Sequence, residues 1–420
     1  MFGLDAFKLL AWVAWTGTLF WLLAALITLR ALGRGKPLRA AAPNKELMNG
    51  NAPLVSILVP ARNEEGRVLP QCIRSILEQD YERFEVIAVN DRSTDATGPI
   101  LHAIAKSDER LRVIDGAETP EGWLGKPYAM QQALDRARGE WVLATDADMI
   151  FDRAALRTAV AYALEQEVDA LTFIPLFEAH SFWERVMMPA WSWVMLVYML
   201  VYRVDDPRSQ SAIGIGGFFL MRRTALESVG GYHALRNEVM EDMRLADLLK
   251  GAGARMASEY APHLVRTRMY RNFSEMWECS TKNWFSGVKF SVSRALSAVL
   301  SMYVGAVAPP VIALAFAVAL AAGASASLWL LFFPLFSIWL LQVLVFTVLS
   351  RRCRVPVVYS LTTPLGLAVL YAMLFDSTVR IASGKGVVWK GRKVYERAGS
   401  VRPPVAGEQT SKVSFADDGR

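Results

Sequence analysis

The chain has little cysteine and little histidine, with three and four of them respectively in 420 residues. Cys72, Cys279 and Cys353 are odd in number and far apart, which argues against both a disulfide framework and the paired spacing of a zinc site. The histidines also lack metal-ligand spacing. The composition therefore predicts a protein of a reducing compartment that works without disulfides.

Three motifs that would point to other chemistries are missing. No G-x-G-x-x-G follows the first predicted strand, and neither G-x-x-x-x-G-K-[ST] nor G-x-S-x-G occurs. Dinucleotide binding, a P-loop and a serine nucleophile elbow therefore lose their main support. The formal net charge is +6, but no basic–aromatic groove pattern accompanies it, so nucleic-acid binding is not expected.

Long apolar runs are what the sequence has in excess. Hydrophobic residues make up 53% of the chain and the mean hydropathy is +0.25, above the usual range of soluble domains. Four apolar stretches cover residues 9–29, 296–322, 327–349 and 355–374. Arginines follow the first stretch directly, which predicts an uncleaved anchor whose C-terminal side is cytoplasmic.

The hydropathy pattern divides the chain into four regions. Residues 1–51 are predicted to form an N-terminal membrane anchor with a basic linker, and 52–295 a cytoplasmic globular domain. Residues 296–378 would form two or three membrane segments, and 379–420 a basic, partly disordered tail. The protein is thus expected in the plasma membrane as a multi-pass chain.

Two features of the membrane regions leave alternatives open. Pro356, Pro364 and Asp376 interrupt the last apolar stretch, which we expect to be re-entrant or interfacial, leaving the basic tail in the cytoplasm. Residues 181–204 and 269–290 are rich in aromatic and basic side chains. Core packing explains such residues about as well as helices that lie in the membrane interface.

Short β-branched apolar runs alternate with amphipathic stretches in the globular region. Strands are predicted at 54–61, 84–90 and 111–114 and from Trp141, with helices near 68–77, 98–105 and 128–138. Gly139 is expected to cap the last of these helices. This alternation predicts an α/β fold with a mostly parallel sheet and helices on both of its faces.

Polar side chains collect at the carboxyl ends of the predicted strands, where sheets of this kind bind ligands. Arg62 and Glu64 follow the first strand, Asp91 the second, and Asp146 and Asp148 the fourth. One carboxylate at a strand end is usually a turn residue, whereas three strand ends on one rim indicate a site. Since carboxylate oxygens suit Mg²⁺ or Mn²⁺, Asp148, with Asp146, is predicted to hold a divalent cation that bridges to a diphosphate.

Three more charged residues have both an ordinary and a functional interpretation. Glu241 and Asp242 lie in the first turn of a predicted helix at 239–250, where such a pair commonly interacts with the helix dipole. The functional alternative makes Asp242 a general base, with Glu241 in support. Lys126 stands where a loop enters a helix, either as a solvated lysine or as a cation that pairs with the diphosphate.

The sequence resembles family 2 glycosyltransferases across most of residues 54–290. The resemblance is carried by PARNEE (60–65), VNDRSTD (89–95), TDAD (145–148), GGFFLMRR (216–223), GGY (230–232) and MED (240–242). It implies a GT-A type, Rossmann-like fold beside one N-terminal and two or three C-terminal transmembrane helices. Asp146 and Asp148 would be the D-x-D that binds the sugar nucleotide and its metal, and Asp242 the base of an inverting transfer.

The same resemblance implies a donor pocket. Asp91 would recognise the uracil of a UDP-sugar, and Pro60, Arg62 and Glu64 would line that pocket. Processive synthases of the family carry Q/R-x-x-R-W, whereas this chain has STKNW at 280–284. Only Trp284 of that motif is retained, as a predicted part of the donor site, and its altered neighbours argue against polymer synthesis.

Finer resemblance comes from EGWLGK (121–126) and WKGRKVY (389–395). With the membrane segments they look like lipid-directed bacterial members, the carotenoid glucosyltransferases and hopene-associated glycosyltransferases, and more distantly the ceramide glucosyltransferases. The implied activity moves glucose or N-acetylglucosamine from a UDP-sugar to the hydroxyl of a membrane lipid such as a carotenoid or hopanoid. The expected partners are donor, lipid acceptor and bilayer, with no obligate protein partner. A processive polysaccharide synthase and a non-catalytic nucleotide-sugar-binding protein remain as alternatives.

Overall fold

The computed structural model describes residues 2–34, 37–42, 52–198, 203–389 and 392–393. An α/β domain occupies the middle of the chain, and long apolar helices stand at both of its ends. Residues 43–51 of the predicted linker and the whole tail beyond residue 393 lie outside the described residues, as does most of WKGRKVY.

A seven-stranded sheet forms the centre of the α/β domain. Its strands are β1 (Val55–Ala61), β2 (Phe84–Asn90), β3 (Leu111–Asp115), β4 (Trp141–Ala144), β6 (Ala170–Ile174), β8 (Phe219–Arg222) and β9 (Met256–Tyr260), in the order β3-β2-β1-β4-β8-β6-β9. Only β8 runs against its neighbours. The carboxyl ends of the other six strands therefore share one rim, which we call the carboxyl rim, and the predicted mostly parallel sheet is confirmed.

Helices cover both faces of this sheet because its strands are apolar on both sides. In β2, all residues from Phe84 to Val89 are buried, as expected of a strand enclosed by helices. The helices of the domain are α2 (Leu69–Leu77), α3 (Thr97–Ala105), α4 (Gly125–Leu134), α5 (Ala155–Glu165), α6 (Phe182–Tyr198), α7 (Arg223–Ser228), α8 (Glu241–Gly251) and α9 (Phe273–Gly287). A smaller sheet, in the order β5-β10-β7, consists of β5 (Met149–Phe151), β7 (Leu176–Phe177) and β10 (Val265–Thr267).

The expectation that Gly139 caps a helix was wrong. Helix α4 ends at Leu134, and Asp135 is its C-cap. Gly139 instead lies against the first strand: its N–H donates to Ser56 Oγ at 2.8 Å, and a Cβ would come within 2.6 Å of the Ser56 nitrogen. Close backbone packing, not helix termination, requires glycine there.

Within the described residues, four helical segments are long and apolar enough to cross a membrane: Phe7–Gly33, Val292–Ala321, Ala326–Arg352 and Val357–Ala382. The first lies within α1 (Phe2–Arg34), and the other three contain α10 (Val292–Met302), α11 (Ala308–Ala321), α12 (Trp329–Arg352) and α13 (Thr363–Ala382). One N-terminal and three C-terminal candidates agree with the sequence prediction.

Helices α1 and α12 run side by side in the same direction. Thr18 Oγ1 donates to the Pro334 carbonyl at 2.9 Å, and near the other end Arg352 Nη1 donates to the Leu32 carbonyl at 2.7 Å. Tyr260, at the end of β9, donates its hydroxyl to the Arg352 carbonyl at 2.6 Å. Both helices therefore end against the α/β domain.

Helix α13 contacts helices of the α/β domain near both of its own ends. Gly366 lies so close to α6 that a Cβ would come within 2.8 Å of the Val186 carbonyl. Three turns later, Asp376 accepts a hydrogen bond from Trp277 Nε1 of α9 at 2.7 Å. This helix thus lies along the two segments whose composition suited the membrane interface.

Candidate active site

Asp146 and Asp148 occupy the turn between β4 and β5. Strand β4 pairs with β1 on one side and β8 on the other, so the turn begins from the middle of the sheet. Thr145 Oγ1 donates to the Gly217 carbonyl at 2.8 Å and ties this turn to the loop before β8. Both aspartates are partly exposed, so the sheet presents them to a ligand at its carboxyl rim.

Lys126 joins two of the predicted carboxylates. It lies in the first turn of α4, and its Nζ is 2.7 Å from Asp146 Oδ1 and 2.6 Å from Glu241 Oε1. Burial by itself would lower the pKa of Lys126, but Asp146, Glu241 and Asp242 outweigh it and raise that pKa well above its ordinary value. The lysine, although 40% of its side chain is exposed, is therefore an ion-paired charged centre of the site.

Asp242 is held in place by two backbone donors. Gly216 N–H donates to Oδ2 and Met243 N–H to Oδ1, both at 2.8 Å. Burial raises the pKa of Asp242 to about 6, with the negative charge of Glu241 adding to the shift and Lys126 opposing it. A carboxylate with such a pKa is suited to take a proton near neutral pH.

Gly216 explains how these charged groups fit together. A Cβ on this residue would come within 3.1 Å of Lys126 Nζ and 3.3 Å of both Asp146 Oδ2 and Asp242 Oδ2. The absence of a side chain leaves room for the cluster. Tyr232, which is 2% exposed, lies beneath it, and burial raises the pKa of its hydroxyl, so that it stays neutral.

The residues predicted for the donor pocket form a second group on the same rim. Arg62 Nη1 donates to the carbonyls of Asp91 and Arg92, at 2.7 and 3.0 Å, and thus supports the turn after β2. Asp91 is buried, with its Oδ1 at 3.1 Å from Arg92 Nη2. Glu64 is also buried, and Pro60 is the penultimate residue of β1.

Asp148 and Asp146, in the turn after β4, stay the predicted ligands of a divalent cation. Lys126 already pairs with Asp146, and the Cys72 thiol donates to the Asp146 carbonyl at 3.7 Å. Among the described residues no cluster of three or more His, Cys, Asp or Glu could hold a metal by itself. One or two carboxylates completed by substrate phosphates and water are the usual ligands of Mg²⁺.

Trp284 has different surroundings. It packs on the buried cluster of the helical region, which includes Trp193, Phe285 and Tyr371, and it does not line the small cavity of Lys126, Gly216 and Asp242. Its predicted role in the donor site stays a prediction.

Sequence reasoning named no role for four residues of the site: Thr145, Gly216, Tyr232 and Arg92. Each lies inside or beside a motif that was recognised, TDAD, GGFFLMRR, GGY or VNDRSTD. Arg92 also has a positive φ of 51° and hydrogen-bonds Thr119. These contacts join segments far apart in sequence, and only the motif context could have indicated them.

The topology of this sheet, with a carboxylate–lysine cluster on its carboxyl rim, is that of a GT-A type fold. Residues 56–230 match the family model described as Glycosyl transferase family 2, and the chain carries a domain of that family. The predicted family, fold and enzyme class are thereby confirmed.

Two curated relatives are similar to this chain. The 4,4'-diaponeurosporenoate glycosyltransferase of Staphylococcus aureus is 25% identical over 265 residues, which is 62% of this chain and 68% of that protein. The beta-monoglucosyldiacylglycerol synthase of Synechocystis is 30% identical over 231 residues, which is 53% of this chain and 46% of that protein.

One solved structure resembles nearly the whole molecule. It is the mannosyltransferase PcManGT from Pyrobaculum calidifontis in complex with GDP-Man and Mn²⁺, with a TM-score of 0.52. The alignment covers 88% of this chain and 98% of that one at 21% sequence identity. At this identity the likeness concerns the fold alone.

Proposed function

We propose that the protein transfers a hexose, glucose or N-acetylglucosamine, from a UDP-sugar to the hydroxyl of a membrane lipid, with inversion at the anomeric carbon. The observation that carries this proposal is Asp242, oriented by two backbone N–H groups beside a lysine that neutralises the carboxylates next to it. A single base of raised pKa is what direct displacement by a hydroxyl requires.

The chemistry follows from the charges. The acceptor oxygen attacks the anomeric carbon and passes its proton to Asp242, while the bond from that carbon to the diphosphate breaks and its electron pair leaves with UDP. Lys126 supplies positive charge next to the departing diphosphate. Asp148, with Asp146, would hold a divalent cation that neutralises the same diphosphate when bound.

The donor and the acceptor rest on different support. The buried Asp91 and its Arg62-supported turn suit the uracil side of a UDP-sugar. The names of the two relatives mention diaponeurosporenoate and monoglucosyldiacylglycerol. They favour a lipid acceptor, such as a carotenoid or hopanoid, for a chain whose described residues include four long apolar helices. The altered STKNW segment supports a single transfer over a processive polysaccharide synthase.

A donor panel tests the proposal. Membranes that contain the protein are incubated with UDP- and GDP-sugars, and products are identified by mass spectrometry. We expect one hexose added to a lipid from a UDP-sugar, an almost complete loss of product with EDTA, and its recovery with Mn²⁺ or Mg²⁺, because the diphosphate charge needs the cation.

Variants at the rim make this test specific. Asp148→Asn should abolish the response to added metal, while Asp115→Asn, an exposed carboxylate at the end of β3, should behave as the wild type. A long polymer as product would favour the polysaccharide synthase. Donor binding without any product would favour the non-catalytic alternative, and activity unaffected by EDTA would contradict the metal role.

The same proposal includes a location: the plasma membrane, with the α/β domain and the tail both on the cytoplasmic side. It is supported by the contacts of α13 with α6 and α9 near both of its ends, which suit a helix that lies in the interface without crossing. Helix α1 then crosses the membrane before the α/β domain. Helices α10–α11 and α12 cross it twice after the domain and bring the chain back to the side of that domain.

Cysteine labelling in intact cells tests this topology. Lys385→Cys, just after α13, should react with a membrane-impermeant maleimide only after the membrane is opened. Ala324→Cys, at the exposed turn between α11 and α12, should react in intact cells, and Arg351→Cys should not. Labelling of Lys385→Cys in intact cells would show instead that α13 crosses the membrane. The native Cys72 and Cys279 are buried, whereas Cys353 is partly exposed, so the variants are made in a Cys353→Ser background.

A further inference from the structure

A deep apolar groove lies between the α/β domain and the membrane helices. Its cavity volume is about 220 Å³. Most of its walls are aliphatic or aromatic, and they come from α1, α6, α12, the ends of β6 and β9 and the loop before β8. Two strands of the carboxyl rim thus continue into this groove.

The membrane side of the groove is formed by the ends of two candidate membrane spans. Ala31 and Leu32 come from the end of α1, and Leu349 from the end of α12. Leu196 and Met195 of α6 form the adjacent wall. Since α1 and α12 both end against the α/β domain, the groove lies at the level where a lipid passes from the hydrocarbon core to its polar end.

The inner wall of the groove is also a wall of the catalytic cluster. Ile213 and Ile215 line the groove, whereas Gly216 donates its N–H to Asp242 and Gly214 also packs on that residue's backbone. Alternate residues of an extended segment point to opposite sides. The backbone of residues 213–216 therefore lies between the apolar groove and Asp242, the proposed base.

Most polar groups in the groove are already hydrogen-bonded to neighbouring parts of the protein, whereas the buried Ser258 Oγ has no hydrogen-bond partner. Glu259 accepts from Tyr162 at 2.7 Å, Asp205 accepts from Ser258 N–H at 2.9 Å, and Arg352 donates to the Leu32 carbonyl. Charged or peptide ligands would compete with these bonds. A hydrocarbon chain needs no such partners, so the surface favours an apolar occupant.

We propose that this groove, which we call the chain groove, holds the hydrocarbon chain of the acceptor lipid and thereby selects alcohols that carry a long apolar chain. The proposal rests on the proposed function, because it assumes that the acceptor hydroxyl reaches Asp242 around segment 213–216. Leu196, Met195 and Ile215 would be the residues that determine chain length and shape.

Photolabelling of the full-length protein in detergent tests this proposal. The probe is palmityl alcohol with a terminal diazirine, and labelled peptides are mapped by mass spectrometry. In the wild type we expect labels on α6, on the end of α12 and on 213–215. Leu196→Trp should lower this labelling about tenfold, because excluding even two methylenes from the groove removes the affinity that their burial supplies.

The controls separate the groove from general lipid binding and from the proposed function. Leu26→Trp, on the exposed side of α1 with 57% of Leu26 accessible, should leave labelling unchanged. Ala31→Phe fills the groove from another helix and should lower the labelling as much as Leu196→Trp does. UDP binding, measured by calorimetry with Mn²⁺, should be the same in all four proteins, which also shows that the variants fold.

Two results would overturn the proposal: labelling of Leu196→Trp and Ala31→Phe at the wild-type level, or wild-type labels confined to the outer face of α1. Failure of the proposed function would look different. In that case UDP binding would be absent from the wild type, while groove labelling and its loss in the two filled variants would still support a lipid site.

Discussion

Asp242→Asn should lower kcat by roughly 10²–10⁴-fold, the usual contribution of a general base, and should leave UDP binding intact. The substitution keeps the size of the side chain and removes its capacity to take the acceptor proton. Gly216 N–H and Met243 N–H donate to different oxygens of Asp242, so the amide oxygen of the variant keeps one of these hydrogen bonds and the other is lost. Steady-state rates with saturating lipid and titration with UDP measure the two effects separately.

The pH dependence of the wild type gives a second readout of the same residue. Asp242 acts only when it is deprotonated, and its pKa is raised to about 6. The rate should therefore rise with pH through about 6 and then level off, whereas an ordinary carboxylate with a pKa near 3.8 would already be fully active there. In Asp242→Asn this step should disappear from the residual activity.

A matched substitution lies on the same helix. Asp247→Asn, on the exposed face of α8 five residues further on, changes charge equally and should retain wild-type kcat. Turnover of Asp242→Asn near the wild-type level would refute the assignment of the base.

Lys126→Met should lower kcat/KM for the donor by about 10²-fold, within the range seen when a preorganised electrostatic partner is removed. Lys126 Nζ lies 2.7 Å from Asp146 and 2.6 Å from Glu241 and neutralises both. Without Lys126, the negative charges of Asp146, Glu241 and Asp242 would repel the donor diphosphate. Methionine keeps the length and most of the packing of the side chain. Donor titrations in the presence of Mn²⁺ measure the loss.

The pH profile of Lys126→Met distinguishes an electrostatic role from a merely structural one. Lys126 opposes the rise in the pKa of Asp242, so its removal should shift the acid limb of the rate profile to higher pH. Lys106→Met, an exposed lysine that follows α3, should shift neither kcat/KM nor the profile. An unchanged acid limb in Lys126→Met would mean that the lysine does not act on Asp242.

The sequence was most informative about elements whose local pattern matches their surroundings. The strand predicted at 84–90 agrees with β2, and the helix predicted at 239–250 agrees with α8 within two residues at its start, because burial on both faces or on one stripe leaves a direct trace in the sequence. The prediction that Gly139 caps a helix was wrong because the role of this residue depends on a distant contact. Glycine is required at this position by close packing on the backbone of Ser56, more than eighty residues away, and the local sequence pattern cannot predict such a contact.

The candidate active site likewise has features that the sequence predicts and features that only the folded chain determines. The parallel direction of the predicted strands allowed Asp91, Asp146 and Asp148 to be assigned to one rim from the sequence, since the carboxyl ends of parallel strands meet there. That Lys126 links Asp146 to Glu241, and that Gly216 holds Asp242, depends on α4, α8 and the loop before β8 meeting in space. Spacing along the chain contains no information about that meeting.

By itself, then, the sequence determined the membrane segments, the α/β class, the family resemblance and the identities of the charged rim residues, because these follow from hydropathy, periodicity and local motifs. Only the tertiary structure decided which carboxylate pairs with Lys126, which one has a pKa raised to about 6, and where the apolar groove lies relative to it. Those properties arise from burial and from distances between segments remote in the chain, and both come into existence only when the chain folds.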